Sequence, residues 1–345
     1  MPSSWVLRIA VAGGIFALLA VPCASATGPD NLANIPHVDH VGVVELSGVT
    51  FGSILRYRPL QMTIYVPKEG AGPFPIVVYA HGGGFGLDPF GVRPASDDAP
   101  GMTDGPAMLL ALARRGYVVA NVFYRLSAEA QFPAQIQDMK LAVRFLRSNA
   151  AHYNADPSRV YAWGSSAGGY LVSLLGTSCG VEALEPPGGG KGIPGPPGMG
   201  VVHIDPAASD CVDGVADWYG PEDLPAMDAQ SLSGAPFQHN APDSAESLLL
   251  GCTLPQCPAD KVKAAIPLTY ISARTPPFFI VHGLNDHSVP HQQSEELAKA
   301  LKAAGVPVEL ELVPNADHMF EGLPDAGKNR LIEETFSFFD RLAKR

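Results

Sequence analysis

The chain alternates short β-rich apolar runs with stretches of helical periodicity, and few architectures accept that pattern. Met62–Val66, Ile76–Tyr79, Val118–Phe123, Val160–Trp163, Val212–Tyr219, Phe278–His282 and Val308–Val313 read as strands. Between them, Pro106–Arg114, Pro133–Ala150, a small-residue run from Ala167, and Gln292–Ala304 read as helices. In Pro133–Ala150 the apolar residues Ile136, Met139, Val143, Leu146 and Ala150 recur at helical spacing, and Pro133 suits a first turn. A last helix carries Leu331, Thr335, Phe338 and Leu342 on one stripe. Ile76–Tyr79 is apolar throughout, as expected of a strand covered on both faces. The fold class expected is α/β: a mostly parallel central sheet with helices on both faces.

The first residues stand apart. Met1–Arg8 carries one positive charge, Ile9–Val21 is apolar but short for a bilayer span, and Pro22 precedes Ala24-Ser25-Ala26, a small-x-small cleavage pattern. Residues 1–26 therefore read as a signal peptide and 27–345 as one catalytic domain, giving an exported protein, periplasmic or secreted, with no stable membrane insertion after cleavage. A lipoprotein site at Cys23 fits poorly, because Pro22 precedes it. Without Cys23 an even set remains: Cys179, Cys211, Cys252 and Cys257. In an exported chain this suggests two disulfides, with three pairings open. Cys252–Cys257 as a local loop and Cys179–Cys211 as a clasp are preferred, contributing roughly 2 and 3–4 kcal/mol in a chain-entropy picture; the alternative is free buried thiols. Paired CxxC or CxxH spacing, as zinc would need, does not occur. The net charge of −11 argues against nucleic acid as a partner.

Chemistry concentrates in three places. Gly164-Ser165-Ser166-Ala167-Gly168 fits G-x-S-x-G between a strand and a helix. A nucleophile on so sharp a turn leaves no room for side chains two residues to either side, hence the glycines. Ser166 is the candidate nucleophile; Ser165 lacks this flanking. His81-Gly82-Gly83-Gly84-Phe85 follows the strand ending at Ala80. Successive glycines allow backbone N–H groups to approach a developing oxyanion, so Gly83, Gly84 and Ala167 are the candidate donors, while His81 stiffens the loop. Downstream of Ser166 lie His203, His239, His282, His287, His291 and His318. His318 falls in Asn315–Phe320, between the last strand and the last helix, and is the candidate base. Asp286, in the loop after Phe278–His282, is the candidate acid that would orient the imidazole. Asp317 is a rival acid and His287 a rival base, each compromised by adjacency to the other group of its pair.

HGGGF, Phe123-Tyr124-Arg125-Leu126, Phe132-Pro133-Ala134 with Asp138, GSSAGG, HGLNDHSVP and the His318 loop occur in that order. The chain thus resembles the hormone-sensitive-lipase-like branch of the α/β-hydrolases. More narrowly, it is similar to bacterial bifunctional feruloyl and acetylxylan esterases, which Asp217-Trp218-Tyr219-Gly220-Pro221 and Ser247–Gly251 with Cys252 and Cys257 also resemble. The resemblance runs from about Gln61 to the C terminus. It implies a serine esterase with a Ser-Asp-His triad, no cofactor and no metal, acting on a small-molecule or polysaccharide-linked ester. Leu87–Gly105 and the Gly/Pro-rich Glu185–Gly200 depart from the family pattern, and loops of this kind often rim a cleft. A non-catalytic binding module on the same fold, or a small amidase or peptidase, is the alternative reading.

Overall fold

The computed structural model describes residues 35–54, 58–88, 105–186, 203–205 and 207–344. The expected signal peptide, and most of the two irregular loops expected to rim a cleft, lie outside the described residues. The strands are β1 (His37–His40), β2 (Val43–Gly52), β3 (Leu60–Pro67), β4 (Phe74–Ala80), β5 (Val118–Phe123), β6 (Ala155–Ser165), β7 (Val215–Trp218), β8 (Phe278–Gly283) and β9 (Val308–Val313). They form one sheet in the order β1-β2-β3-β5-β4-β6-β7-β8-β9. The pairs β1–β2, β2–β3 and β3–β5 are antiparallel, and every pair from β5 to β9 is parallel.

Burial explains which runs lie where. Every residue of β4, β5 and β8 is buried, as it must be in a strand with helices above and below. The edge strand β9 is mostly half-exposed and carries Glu309 and Glu311, which suits a sheet margin. The helices are α1 (Pro106–Arg114), α2 (Ala134–Ser148), α3 (Ala167–Thr177), α4 (Met227–Gln230), α5 (Ala245–Leu250), α6 (Ala259–Ala264), α7 (Gln292–Ala303) and α8 (Asp325–Ala343). On one face, Met108, Leu109 and Leu112 of α1 and Leu331, Phe336 and Phe339 of α8 join Val77, Tyr79, Val119, Trp163 and Val281 in one buried cluster. Trp163 is its hub, with ring centroids 5.6 Å from Tyr79, 5.0 Å from Trp218 and 6.0 Å from Phe336. The alternate residues of the strands face the other way. There Gly176 of α3 lies so close to the sheet that a Cβ would sit 2.5 Å from Val215 Cγ2. His282, on the same side of β8, meets Ser294 of α7.

Two departures from the sequence reading have physical causes. The hairpin β1–β2 was not expected, because its strands mix His, Asp, Glu, Ser and Gly with the apolar positions; it extends the antiparallel margin of the sheet. The strand expected at Val212–Tyr219 contracts to β7, since Tyr219 turns to φ 46° and leaves the extended region. The disulfides join Cys179 to Cys211 and Cys252 to Cys257, the two preferred pairings. The first ties the segment after α3 to the approach to β7; the second closes the turn between α5 and α6. Among the described residues, no helix is long and apolar enough to cross a membrane.

The strand order fixes where a site can form. From β4 the chain winds first to β5 on one side and then to β6 on the other. At such a reversal the loops leaving the carboxyl ends of the two strands diverge and open a crevice. The residues that leave β4 and β6 there are His81–Phe85 and Ser166.

Candidate active site

Ser166 stands between β6 and α3 with φ 53° and ψ −121°, a conformation a non-glycine residue adopts only when its surroundings enforce it. Its N–H donates to Trp218 O at 2.8 Å. The flanking glycines are sterically required. A Cβ on Gly164 would lie 2.3 Å from Gly168 O, and one on Gly168 would lie 2.0 Å from Ala80 O. Ser165 is fully buried, with its hydroxyl 3.1 Å from Tyr79 Oη, and does not enter the crevice.

His318 Nε2 lies 3.0 Å from Ser166 Oγ, and His318 Nδ1 lies 2.8 Å from Asp286 Oδ2. The three residues are thus joined in one hydrogen-bonded line across 152 positions of sequence between serine and histidine. The histidine tautomer with Nδ1–H donating to Asp286 leaves Nε2 to accept the Ser166 proton. Asp286 is 1% exposed. Its Oδ1 accepts from the N–H groups of Ser288 at 2.8 Å and Val289 at 2.7 Å. Burial works against its ionisation, but contacts with His282 and His318 outweigh that and hold the carboxyl well below the usual carboxylate range.

The two rivals pair with each other. His287 Nδ1 donates to Asp317 Oδ2 at 2.9 Å, and the N–H groups of His287 and His318 donate to Asp317 Oδ1 at 2.9 and 2.7 Å. Burial opposes ionisation of Asp317 too, and these donors still lower its pKa. Asp317 therefore shapes the turn that carries His318 without touching its ring by hydrogen bond. His282, expected as a packing residue, is fully buried; one ring nitrogen faces Ser294 Oγ at 2.6 Å, and the other donates to Val289 O at 2.9 Å and lies 3.4 Å from Asp286 Oδ2. His291 pairs with Glu295 and His239 with Glu246.

The glycine loop lies beside Ser166. Gly83 and Gly84 have φ of 112° and 58°, values glycine reaches without strain. A Cβ on Gly83 would fall 2.3 Å from Leu87 O. His81 stacks on Tyr124 with centroids 4.4 Å apart, Tyr124 Oη donates to the His81 carbonyl at 2.8 Å, and Phe85 packs edge-on to Tyr170. These contacts tie the loop to Tyr124 and Tyr170. Ala167 opens α3, where the first N–H groups of a helix have no carbonyl partner within it and the dipole favours negative charge. Gly83, Gly84, Ser166, Ala167 and His318 line one cavity of about 640 Å³.

Three further residues at the site were given no role from sequence, although two of them lie in the motif Asp217–Pro221. Tyr219 lies edge-on to the His318 ring, centroids 4.9 Å apart. Asp217 and Glu222, both fully buried, sit beneath the nucleophile turn: a Cβ on Gly169 would be 2.3 Å from Asp217 Oδ1. Burial, together with the charge of Asp217, raises Glu222 well above the carboxylate range, and burial pushes Asp217 up to about 6. The motif Asp217–Pro221 carries the family resemblance, but only the fold reveals that its acid is buried beside a second one.

The profile of the BD-FAE family matches residues 62–301. The chain belongs to the BD-FAE family. Among curated relatives of this BD-FAE chain, Esterase LipQ of Mycobacterium tuberculosis is 27% identical over 92% of the chain and 66% of its own length. Esterase LipC of the same organism is 26% identical over 64% of the chain and 50% of its own length. The chain spans about half to two thirds of these relatives. Among solved structures, a truncated carbohydrate esterase from gut microbiota superposes with a TM-score of 0.65 at 27% identity, covering 87% of this chain and 96% of that one. A bifunctional GH43-CE protein of Bacteroides eggerthii gives 0.66 at 28% identity, covering 87% of this chain and 38% of that one. The BD-FAE chain has the α/β-hydrolase fold, and the resemblance read from its motifs is borne out.

Proposed function

We propose that this BD-FAE chain is a serine esterase that hydrolyses carboxylic esters through an acyl-enzyme. The observation that carries the reading is the continuous line Ser166–His318–Asp286 beside glycine and helix N–H groups. Ser166 Oγ attacks the ester carbonyl as His318 Nε2 takes its proton. Asp286 holds the ring in the required tautomer and stabilises the imidazolium that forms. The N–H groups of Gly83, Gly84 and Ala167 receive the developing oxyanion, each such donor being worth about 10²–10³ in rate. The alcohol departs with the proton from His318. Water, deprotonated by the same imidazole, then attacks the acyl-enzyme and restores Ser166. Neither cofactor nor metal has a part in these steps.

The substrates proposed are short-chain, acetyl or feruloyl esters, including those carried by plant polysaccharide. One neighbouring structure bears a carbohydrate-esterase description, which supports that class. We also propose export, with residues 1–26 removed; the two disulfides fit an oxidising compartment.

The test is Ser166→Ala assayed on p-nitrophenyl acetate, with circular dichroism to check the fold. Turnover should fall to background, and a fluorophosphonate probe should label the wild type and not the variant. An active, folded Ser166→Ala protein would overturn the assignment.

A further inference from the structure

The proposed acid faces two imidazoles. Asp286 Oδ2 lies 2.8 Å from His318 Nδ1 and 3.4 Å from His282 Nε2. His318 lines the cavity, whereas His282 belongs to β8 and is fully buried. An ionised carboxylate offers about four acceptor sites. Here Oδ1 takes the N–H groups of Ser288 and Val289, and Oδ2 stands between the two rings.

The tautomer of His282 follows from its partners. Val289 O, 2.9 Å from Nε2, can only accept, so Nε2 carries the hydrogen. Asp286 Oδ2 lies beside the same nitrogen and shares that hydrogen with the carbonyl. In the neutral ring Nδ1 then accepts from the hydroxyl of Ser294, 2.6 Å away on α7. A series of polar contacts thus runs from Ser166 through His318, Asp286 and His282 to Ser294, and the proposed mechanism uses only its first three members.

Other groups face these rings as well. Toward His282 the turn after β7 presents Tyr219, ring centroids 6.4 Å apart, and β7 presents Asp217, which acts on it through charge. Toward His318 stand Ser166 and Tyr219, while Asp317 accepts from its backbone N–H.

We infer that His282 is a positioning residue, whose Nε2–H fixes the Asp286 carboxylate and draws off part of the negative charge that Oδ2 directs at His318. A hydrogen bond to an ionised acid favours its charged form and spreads that charge. With the donor in place, Asp286 stays ionised but stabilises an imidazolium at His318 less than a carboxylate lacking that donor would. The inference rests on the esterase reading and deepens it: two histidines on one acid set the orientation and the proton affinity of the base. A side chain that merely filled space under β8 would influence stability and geometry without moving a titration.

The experiment follows kcat and kcat/KM of the full chain on p-nitrophenyl acetate against pH, with active enzyme counted by fluorophosphonate titration and folding checked by circular dichroism. The acid limb of kcat/KM reports protonation of the essential base in the free enzyme. His282→Leu should lower kcat by about tenfold or more and shift the midpoint of that limb upward by about 0.5 pH unit or more. His282→Gln offers a donor and an acceptor, and should return the midpoint to within about 0.2 unit of the wild type. An unmoved limb in folded His282→Leu, or a His282→Gln protein whose limb is displaced as far, overturns the inference and leaves the esterase reading intact. Should His282→Leu fail to fold, Ser294→Ala decides. The Ser294 hydroxyl polarises the ring, so its loss weakens the Nε2–H donor, and the limb should move the same way by about 0.3 unit; no movement overturns the inference. If the wild type neither turns over the ester nor takes fluorophosphonate, the esterase reading falls and the role of His282 with it.

Discussion

A methyl group at position 168 would meet the Ala80 carbonyl at 2.0 Å, and that carbonyl belongs to the fully buried strand β4. Neither backbone can yield without disturbing the sheet or the start of α3. Gly168→Ala is therefore expected to destabilise the protein by about 2 kcal/mol or more, within the range of overpacking, measured as a lowered denaturation midpoint. Asp286→Asn has a different signature. The buried site keeps its shape, but the amide cannot hold His318 in the tautomer that accepts the serine proton. The expected outcome is a fall in kcat of about 10³–10⁴-fold with little change in KM. At this scale the sequence was eloquent about which residues meet: Ser166, its glycines, Asp286 and His318 are of the types that the steric and proton-transfer needs of the proposed reaction would require. Tyr219, His282 and the pair Asp217–Glu222 left no such mark. Their positions follow from β7, β8 and α7 coming together, which no local pattern encodes.

Elements carry the next layer. The nucleophile turn joins β6 to α3, and beneath it lie two buried carboxyl groups. Folding favours their protonated forms, so the stability they permit is complete below about pH 4, the unfolded carboxylate value. It is lost as the pH rises through about 6 for Asp217, and higher for Glu222. Glu222→Gln removes that penalty while keeping a donor for Asp217. Its melting temperature should exceed that of the wild type at pH 8 by about 2 °C or more, and the gap should close at pH 4. The Cys179–Cys211 bridge joins the exit of α3 to the approach to β7 across 32 residues. Replacing both cysteines with serine should lower stability by about 3–4 kcal/mol in a chain-entropy picture, seen in chemical denaturation. The principal strands and helices were legible because their apolar periods are strong. The hairpin β1–β2 was not: its polar, half-exposed residues resemble loop composition, and only the pairing of β2 with β3 and of β1 with β2 makes them strands.

For the whole molecule, the architecture and the proposed reaction are linked by winding order. The reversal between β4, β5 and β6 opens the crevice, and the parallel strands deliver Ser166 and Asp286, the proposed nucleophile and acid, to the same end of the sheet, where the turn after β9 brings His318, the proposed base. Acid should loosen the Asp286–His318 link only well below the usual carboxylate range, measured as the pH dependence of the melting temperature. Asp286 has a lowered folded pKa, so its contribution to stability holds above about pH 4 and disappears as the pH falls through that lowered value. The engagement of Asp317 with the His287 ring and with backbone N–H groups, not with the His318 ring, limits how the proposed site can be altered. Each carboxylate already serves its own imidazole, His287 with Asp317 and His318 with Asp286. A chain deprived of Asp286 thus has a second acid one residue from its base and no means of recruiting it, so in this protein the acid's post cannot migrate along the chain by a single substitution.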